Sequence, residues 1–457
     1  MMQPIPAPEP AEFAAFVAID WADREHAWAL QVPGAKQRER GKLEQTPEAI
    51  EAWVAELTAR FEGRPIAVAL EQARGALLYA LSKYPHLVLY PIHGATSSRY
   101  RAALFPSGRK DDPQDADLLL DLLVQQRQRL RPLRPDTEQT RKLQVLVEKR
   151  RQLVEERTAQ TNRITALLKS YFPQALRWLD DIGSPLAAAL LERWPTLPQL
   201  QAQDPERLRQ FFRQHHSSPE RIQERLEEIP KARPLLEDPA IIDPGVLMVQ
   251  TLLAVVAALR QGIAALDRSI REVFAAHPDA SLYNSLPGAG PVMAPRLLAA
   301  FGSQRDRFQS AQEILSYSGI APVMARSGRT QLWIHFRWAC PKFLRQSFHE
   351  FAECSIPQCG WAKTFYARQR AQHKGHHAAV RALAFKWIRI LFRCWQTRQP
   401  YQEDLYLAAR ERRAVPLSRR PLRTQLAAGS APPACGNAQD RELKTVGALL
   451  KSLMAGA

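Results

Sequence analysis

One feature constrains this chain more than any other: its hydrophobic period changes near Thr140. Before that point, short apolar runs alternate with helical stretches. After it, apolar residues recur at three- and four-residue intervals. A two-residue period lays side chains on the two faces of a strand, and a 3.6-residue period lays them along one stripe of a helix. A chain that keeps the two in separate blocks must build different kinds of layer. Its 457 residues give room for two or three domains.

Residues 1–12 read as a Pro-rich tail. Residues 16–20 (FVAID) form an apolar run ending in an acid, and 26–32 can pair back to it as a hairpin. Thr46, Pro47 and Glu48 open a helix as cap, first-turn proline and dipole-favoured acid. Residues 65–70 (PIAVAL) and 87–90 (LVLY) read as buried strands, and 112–123 (DPQDADLLLDLL) as a helix with acids on one side. This alternation predicts an α/β domain with a mixed sheet over 13–135.

Leu143, Leu146, Leu153, Ile164 and Leu167, then Val256, Leu259, Ile263, Leu266, Ile270 and Val273, mark two long amphipathic helices. Pro185, Pro195, Pro198 and Pro205 punctuate the stretch between them. The pattern predicts an antiparallel coiled-coil-like arm over 136–280 with a helical insertion at its tip. Arg150, Arg157 and Gln160 make its seam partly polar. Residues 281–406 read as a mainly helical C-terminal domain opening on a Gly-rich turn, and 407–457 as a basic, aperiodic, disordered tail.

The formal net charge is +17, with 63 Lys and Arg against 46 Asp and Glu. Such a surplus calls for a polyanionic partner, nucleic acid first and an anionic membrane surface second. The most apolar stretch, 246–259, is broken by Gln250 and Thr251, which argues against a membrane span. The N-terminus lacks the basic and apolar regions of a secretory signal. Five cysteines gathered late in the chain fit reduced thiols and a cytoplasmic protein.

Four acids suggest chemistry. Asp20 and Glu71 end apolar strands; Asp112 and Asp115 sit three apart at a helix start. Carboxylates at strand C-termini face the crevice where α/β sheets bind ligands. Gathered together they need a divalent cation, and hard oxygen ligands suit Mg²⁺ or Mn²⁺. Asp23, Asp111 and Asp117 compete for the role.

Residues 285–302 (SLPGAGPVMAPRLLAAFG) resemble a helix–hairpin–helix element, in which Gly288 and Gly290 let backbone amides approach a phosphate. Ser327, between Arg326 and Arg329, is a candidate nucleophile toward DNA, with a turn-capping hydroxyl as the alternative reading and Ser316 and Ser318 as rivals. Arg337, Lys342, Arg345, Lys374 and Arg381 are candidate nucleic-acid contacts. Most aromatics among them fall at helical core spacing, so the binding role is assigned to the cations.

Taken together, these residues resemble the insertion-sequence family 110 transposases, with the Piv-type DNA invertases as relatives. The likeness spans roughly residues 13–406. FVAIDWADREHAWAL is similar to the family's opening strand, VALEQARG carries its Glu, and Lys110-Asp111-Asp112-Pro113-Gln114-Asp115-Ala116 is similar to its Lys-Thr-Asp-x-x-Asp-Ala motif. Asp111 stands where Thr is usual, which leaves Asp111 and Asp112 as rivals for the metal. LPGAGPVMA and YSGIAPVMARSG resemble the C-terminal transposase domain.

The resemblance implies a RuvC-like, RNase H-type N-terminal fold whose acids Asp20, Glu71, Asp112 and Asp115 bind Mg²⁺, and a Ser327 that forms a covalent phosphoserine link to DNA. It further implies donor and target DNA as partners, a structured guide RNA from the element's non-coding end, and homodimers, formed through the helical arm, that assemble into a tetramer. In that assembly the acidic site of one subunit completes the serine site of another. Two rivals stand beside it: a metal-dependent resolvase of branched DNA in which Ser327 is structural, and a non-enzymatic nucleic-acid scaffold.

Overall fold

A computed structural model describes residues 13–71, 75–104, 112–327 and 331–414; for 112, 113, 325–327, 331–333 and 410–414 it describes the backbone alone. The chain divides into one unit ending at Tyr401 and a second beginning at Gln402.

The N-terminal domain is the expected mixed sheet. Strands β1 (Ala15–Asp20), β2 (Glu25–Gln31) and β3 (Glu39–Glu44) form an antiparallel meander. Helix α1 (Pro47–Arg60) then leads to β4 (Ile66–Leu70), α2 (Ala76–Leu81) to β5 (Leu87–Pro91), and α3 (Gly94–Leu104) to α4 (Asp112–Gln126). The sheet order is β3-β2-β1-β4-β5, with β4 parallel to both neighbours. Thr46 caps α1 as expected, its Oγ1 accepting from Ala49 N at 3.2 Å.

The two faces of the sheet differ in side-chain size. Val17, Ile19, Val68 and Leu70 pack against Ile50, Trp53, Val54 and Leu57 of α1 and the leucines of α2. On the other face, Ala18, Ala29, Ala67 and Ala69 form a small-residue floor on which Ala116, Leu119, Leu120 and Leu123 of α4 pack. Small residues let α4 lie close to the strands, which brings the acids of its first turns to the sheet edge.

Strand β3 is absent from the sequence reading. ERGKLE has no apolar alternation because it is an edge strand, and within it only Leu43 is buried. Gly41 is needed there: a Cβ would stand 2.5 Å from Trp28, whose indole lies against it.

The arm consists of α5 (Glu138–Tyr171), packed along the later α11 (Pro239–Ala275). Between them come α6 (Ala175–Trp178), α7 (Pro185–Arg193), α8 (Leu197–Gln201), α9 (Pro205–Gln214) and α10 (Pro219–Glu228). These five share one core with the end of α5 and the start of α11, built on Phe172, Trp178, Trp194, Phe211 and Phe212. The polar seam has a partner at Arg150, whose Nε donates to Asp267 Oδ1 at 2.5 Å.

The C-terminal domain runs through α12 (Ala280–Asn284), α13 (Gly290–Phe301), α14 (Ala311–Tyr317), the hairpin β6 (Val323–Ser327) and β7 (Gln331–His335), then α15 (Lys342–Gln358), α16 (Gly360–Ala371) and α17 (His376–Thr397). Phe301, Phe348, Phe351, Trp361, Trp387 and Trp395 are buried in it, so most aromatics of this stretch are core, as their spacing predicts. The hairpin was not expected in a domain read as mainly helical. Cys340, Cys354, Cys359 and Cys394 are free thiols.

In the second unit, α18 (Glu403–Ala414) continues past 407, where the sequence suggests a tail; Glu403 and Asp404 in its first turn favour the helix. Residues 1–12 and 415–457, both read as tails, lie outside the described residues.

The turn before α13 separates the roles of its two glycines. Gly288 has φ +79°, and a Cβ there would meet the Cys354 carbonyl oxygen at 2.4 Å. Gly290 has φ +54° and open space around it. Gly288→Ala should therefore cost about 3 kcal/mol or more, from strain plus overpacking. Gly290→Ala should cost about 1–2 kcal/mol, from strain alone. Denaturant unfolding followed by tryptophan fluorescence measures both; equal losses would contradict the packing role of Gly288.

Candidate active site

Asp20 is the last residue of β1, and Glu71 follows the last residue of β4. Ile19 pairs with Leu70 in the parallel register, so the two acids stand side by side, one residue beyond that pair. Alternation continues the alanine face, Ala18 to Asp20 and Ala69 to Glu71, and places both acids on the α4 side of the sheet. Asp115, in the first turns of α4, is 3% exposed.

Neighbouring groups hold each of these acids. Glu71 Oε1 accepts from Ser97 Oγ at 2.9 Å, and Ser97 lies in α3. One turn further along α3, the Arg101 guanidinium pairs with Asp115. The loop after Asp20 is fastened by the fully buried His26, whose Nδ1 accepts from Ala22 N at 3.1 Å and whose Nε2 bonds Gln45. Sequence reasoning missed Ser97, Arg101 and His26. A lone histidine opening a strand was the one available signal; the two α3 residues gave none.

Of the rival acids, Asp117 is engaged by two arginines. Asp117 pairs with Arg40 at 2.9 Å and with Arg38 at 3.6 Å, and Asp121 pairs with Arg38, raising the pKa of that guanidinium mainly through their hydrogen bond. Asp23 is exposed in the β1–β2 loop. Asp112 starts α4, three residues before Asp115, and Asp111 lies outside the described residues.

The donor set consists of carboxylate oxygens, the chemistry that a hard divalent cation requires. Among the described residues, which do not include the Asp112 side chain, no three His, Cys, Asp or Glu side chains are grouped closely enough to hold an ion. Arg101 and Ser97 occupy two of the acids instead. Arg101 Nε is itself buried without a hydrogen-bond partner, so the Arg101–Asp115 contact leaves a polar atom unsatisfied. A cation taking Asp115 would replace an imperfect partner.

The second group of candidates lies in the C-terminal domain. Ser327 ends β6 and pairs with Gln331 at the closing end of the hairpin, beside residues 328–330, which lie outside the described set together with Arg329. Arg326 is one step back along the strand. Gly290, at the exposed start of α13, is open to solvent, whereas Gly288 is taken up by packing on α15.

Arg345 and Arg381 both lie over the ring of Phe336, with guanidinium carbons 4.3 and 4.9 Å from its centroid. Burial, then the charge of Arg345, lowers the pKa of Arg381. Arg345 also bonds the carbonyls of Arg337 and Trp338, so part of its donor capacity goes into shaping the loop. Lys342 is exposed at the start of α15. Lys374 stands apart from this group in the α16–α17 turn, where its Nζ donates to Gln369 Oε1 at 2.6 Å.

Two family models match the chain. A transposase model of the DEDD type, named for IS110, covers residues 17–173, and a model of the IS116/IS110/IS902 transposase family covers residues 280–367. The chain is 28% identical over 415 residues to the mini-circle putative transposase for IS117 of Streptomyces coelicolor, covering 85% of this chain and 95% of that protein. It is 27% identical over 382 residues to an uncharacterized 43.6 kDa protein of insertion element IS110 from the same organism, covering 82% and 93%. It is 28% identical over 347 residues to an uncharacterized 42 kDa protein of insertion element IS900 from Mycobacterium paratuberculosis, covering 74% and 85%.

If a cation competes with Arg101 for Asp115, Arg101→Gln separates the two partners. In chelator the variant should lose about 2–3 kcal/mol of stability, because a nearly buried carboxylate loses its counter-charge. Added Mn²⁺ should then raise its melting temperature more than that of the wild type. An equal metal-induced rise in both proteins would show that Arg101 and the cation do not share Asp115.

Proposed function

The chain belongs to the IS110 family of transposases, and we propose that it cuts and rejoins DNA through a serine–phosphate link formed beside a carboxylate-held divalent cation. Membership makes it a DNA-recombining enzyme, and its DEDD-type domain suggests use of a divalent metal. The observation that carries the finer reading is the placement of Asp20, Glu71 and Asp115 on one side of the sheet at one end of β1 and β4.

In this reading Asp20, Glu71, Asp112 and Asp115 hold Mg²⁺ or Mn²⁺. When bound, the ion supplies positive charge to a scissile phosphate. Ser327 Oγ gives up its proton and attacks phosphorus; its bond to phosphorus forms as the strand's P–O bond breaks, and the leaving sugar oxygen takes up a proton in turn, so none is gained or lost overall. One phosphodiester replaces another, so reversal rejoins the strand without an outside energy source. Arg326 and Arg329 stabilise the charge building on the phosphate. A structured guide RNA supplies specificity by base pairing, and the +17 surplus supports a surface that holds RNA and DNA together.

A second copy of the chain completes the site in this proposal, and α11 supports that part. Residues 244–259 carry no charge. Ile241, Met248 and Val255 follow one another at heptad spacing on α11 and are 49%, 50% and 40% exposed. Among the described residues, α11 is also the one helix long and apolar enough, by length and composition alone, to cross a membrane. A heptad seam on a helix already packed along α5 fits another helix better than lipid.

Three variants test these proposals. Ser327→Ala should abolish any covalent protein–DNA adduct, and Asp20→Asn should abolish metal-dependent cleavage while sparing DNA binding. Persistent nicking by Ser327→Ala, with no adduct from the wild type, would favour water-driven resolution of branched DNA instead. For the arm, Met248→Glu with Val255→Glu should weaken self-association by about a hundredfold, the effect of burying unpaired charge at the seam. Sedimentation of the double variant reads this directly; unchanged association would place the contact elsewhere.

A further inference from the structure

Trp338 is 82% exposed, while Trp361, Trp387 and Trp395 of the same domain are 5%, 1% and 0% exposed. Among the tryptophan side chains described in this domain, three therefore belong to an aromatic core and Trp338 lies outside it. The loop that carries the indole is held firmly. Arg345 donates to the Trp338 carbonyl at 3.3 Å, and the Phe336 ring meets the indole edge-on, with centroids 5.1 Å apart at 74°. The loop carbonyls are bonded by Arg345 and the ring is presented to solvent.

The surroundings are cationic. Arg345 and Arg381 lie over the neighbouring Phe336, and Arg337 and Lys342 flank the loop. Among the described residues, no carboxylate pairs with any of these four, although the protein makes many Arg–carboxylate pairs elsewhere. Arg337 Nε is buried and has no acceptor. An exposed aromatic face beside unneutralised guanidinium groups matches the two halves of a nucleotide, base and phosphate.

We propose that Trp338 is a stacking platform for an unpaired base of the DNA strand on which Ser327 acts. The proposal rests on the recombinase reading above. Trp338 follows β7 by three residues, at the root of the hairpin whose tip carries Ser327. From Gln331 to His335 the strand spans about 13 Å, close to four base steps at about 3.4 Å each. The stacked base is therefore a few nucleotides from the attacked phosphate. It must be unpaired, because a duplex hides base faces from an indole. Stacking there would hold an opened strand in register while it is cut and exchanged.

The test uses the full chain and three probes: a single-stranded oligodeoxynucleotide carrying 2-aminopurine, the same sequence as a duplex, and the matching oligoribonucleotide. Wild type should quench 2-aminopurine in the single-stranded DNA. Trp338→Ala should lose the quenching and bind that strand about 5- to 150-fold more weakly, the range for one lost base stack. Its duplex binding should change less than about twofold, and Trp338→Phe should recover much of the loss. Equal quenching and affinity in Trp338→Ala would overturn the proposal, as would an effect confined to RNA. Adduct formation assayed in parallel separates the two readings. Adducts from both proteins with equal quenching would defeat stacking alone. Quenching that depends on Trp338, with no adduct from the wild type, would defeat the serine chemistry alone.

Discussion

The carboxylate of Asp136 is the point on which the main unit depends. It sits at the base of α5 with its side chain 8% exposed. Its Oδ1 accepts from Ser303 N at 2.6 Å, Ser303 Oγ at 3.0 Å and Gln304 N at 3.0 Å, and its Oδ2 from Gln144 at 2.9 Å. Hydrogen bonds to an ionised acceptor are the stronger kind, and a carboxylate this buried is tolerable only when so satisfied. Gly302 must lack a Cβ for this approach, since one would stand 2.7 Å from the carboxylate. A few residues earlier, Leu133 N donates to Leu89 O on β5, and Arg131 forms a pair with Glu313. The short connector thus touches the sheet, begins the arm and clasps the C-terminal domain.

Much of this architecture was legible in the sequence because burial imposes a period. β1, β4 and β5 are apolar runs, and α5 and α11 carry long helical patterns. What escaped detection lacked such a pattern. β3 is an edge strand with polar residues on its open side. The β6–β7 hairpin is held by its backbone pairing and leaves Met324 and Ile334, which face each other in register, 70% and 45% exposed. Asp20, Glu71 and Asp115 could be picked out because each ends a strand or begins a helix. Their partners could not, because Ser97 and Arg101 lie on a helix of weak amphipathicity and meet the acids only through the tertiary fold.

The charge surplus also gains a location. Residues 172–238, the arm's insertion, hold 9 basic and 11 acidic residues, so the whole excess lies elsewhere in the chain. Within the insertion, Arg225 is buried, its Nε donating to the Trp178 carbonyl at 2.9 Å and its guanidinium lying over Phe212. That arginine serves the core of the insertion and adds nothing to a polyanion-binding surface. The cations around Phe336 are arranged in the opposite way, without acid partners among the described residues and beside an open aromatic face.

The arm also has a mechanical consequence. The 34 residues of α5 reach about 50 Å at 1.5 Å per residue, and the insertion is built onto the far end of that helix. A pivot of about 5° where Asp136 grips the 302–304 turn would sweep the far end through about 4 Å, roughly three-quarters of the rise of one helical turn. A contact made at the insertion therefore works on the clasp with a long moment arm. Small forces applied there are converted into torque where the sheet, the arm and the serine-bearing domain meet.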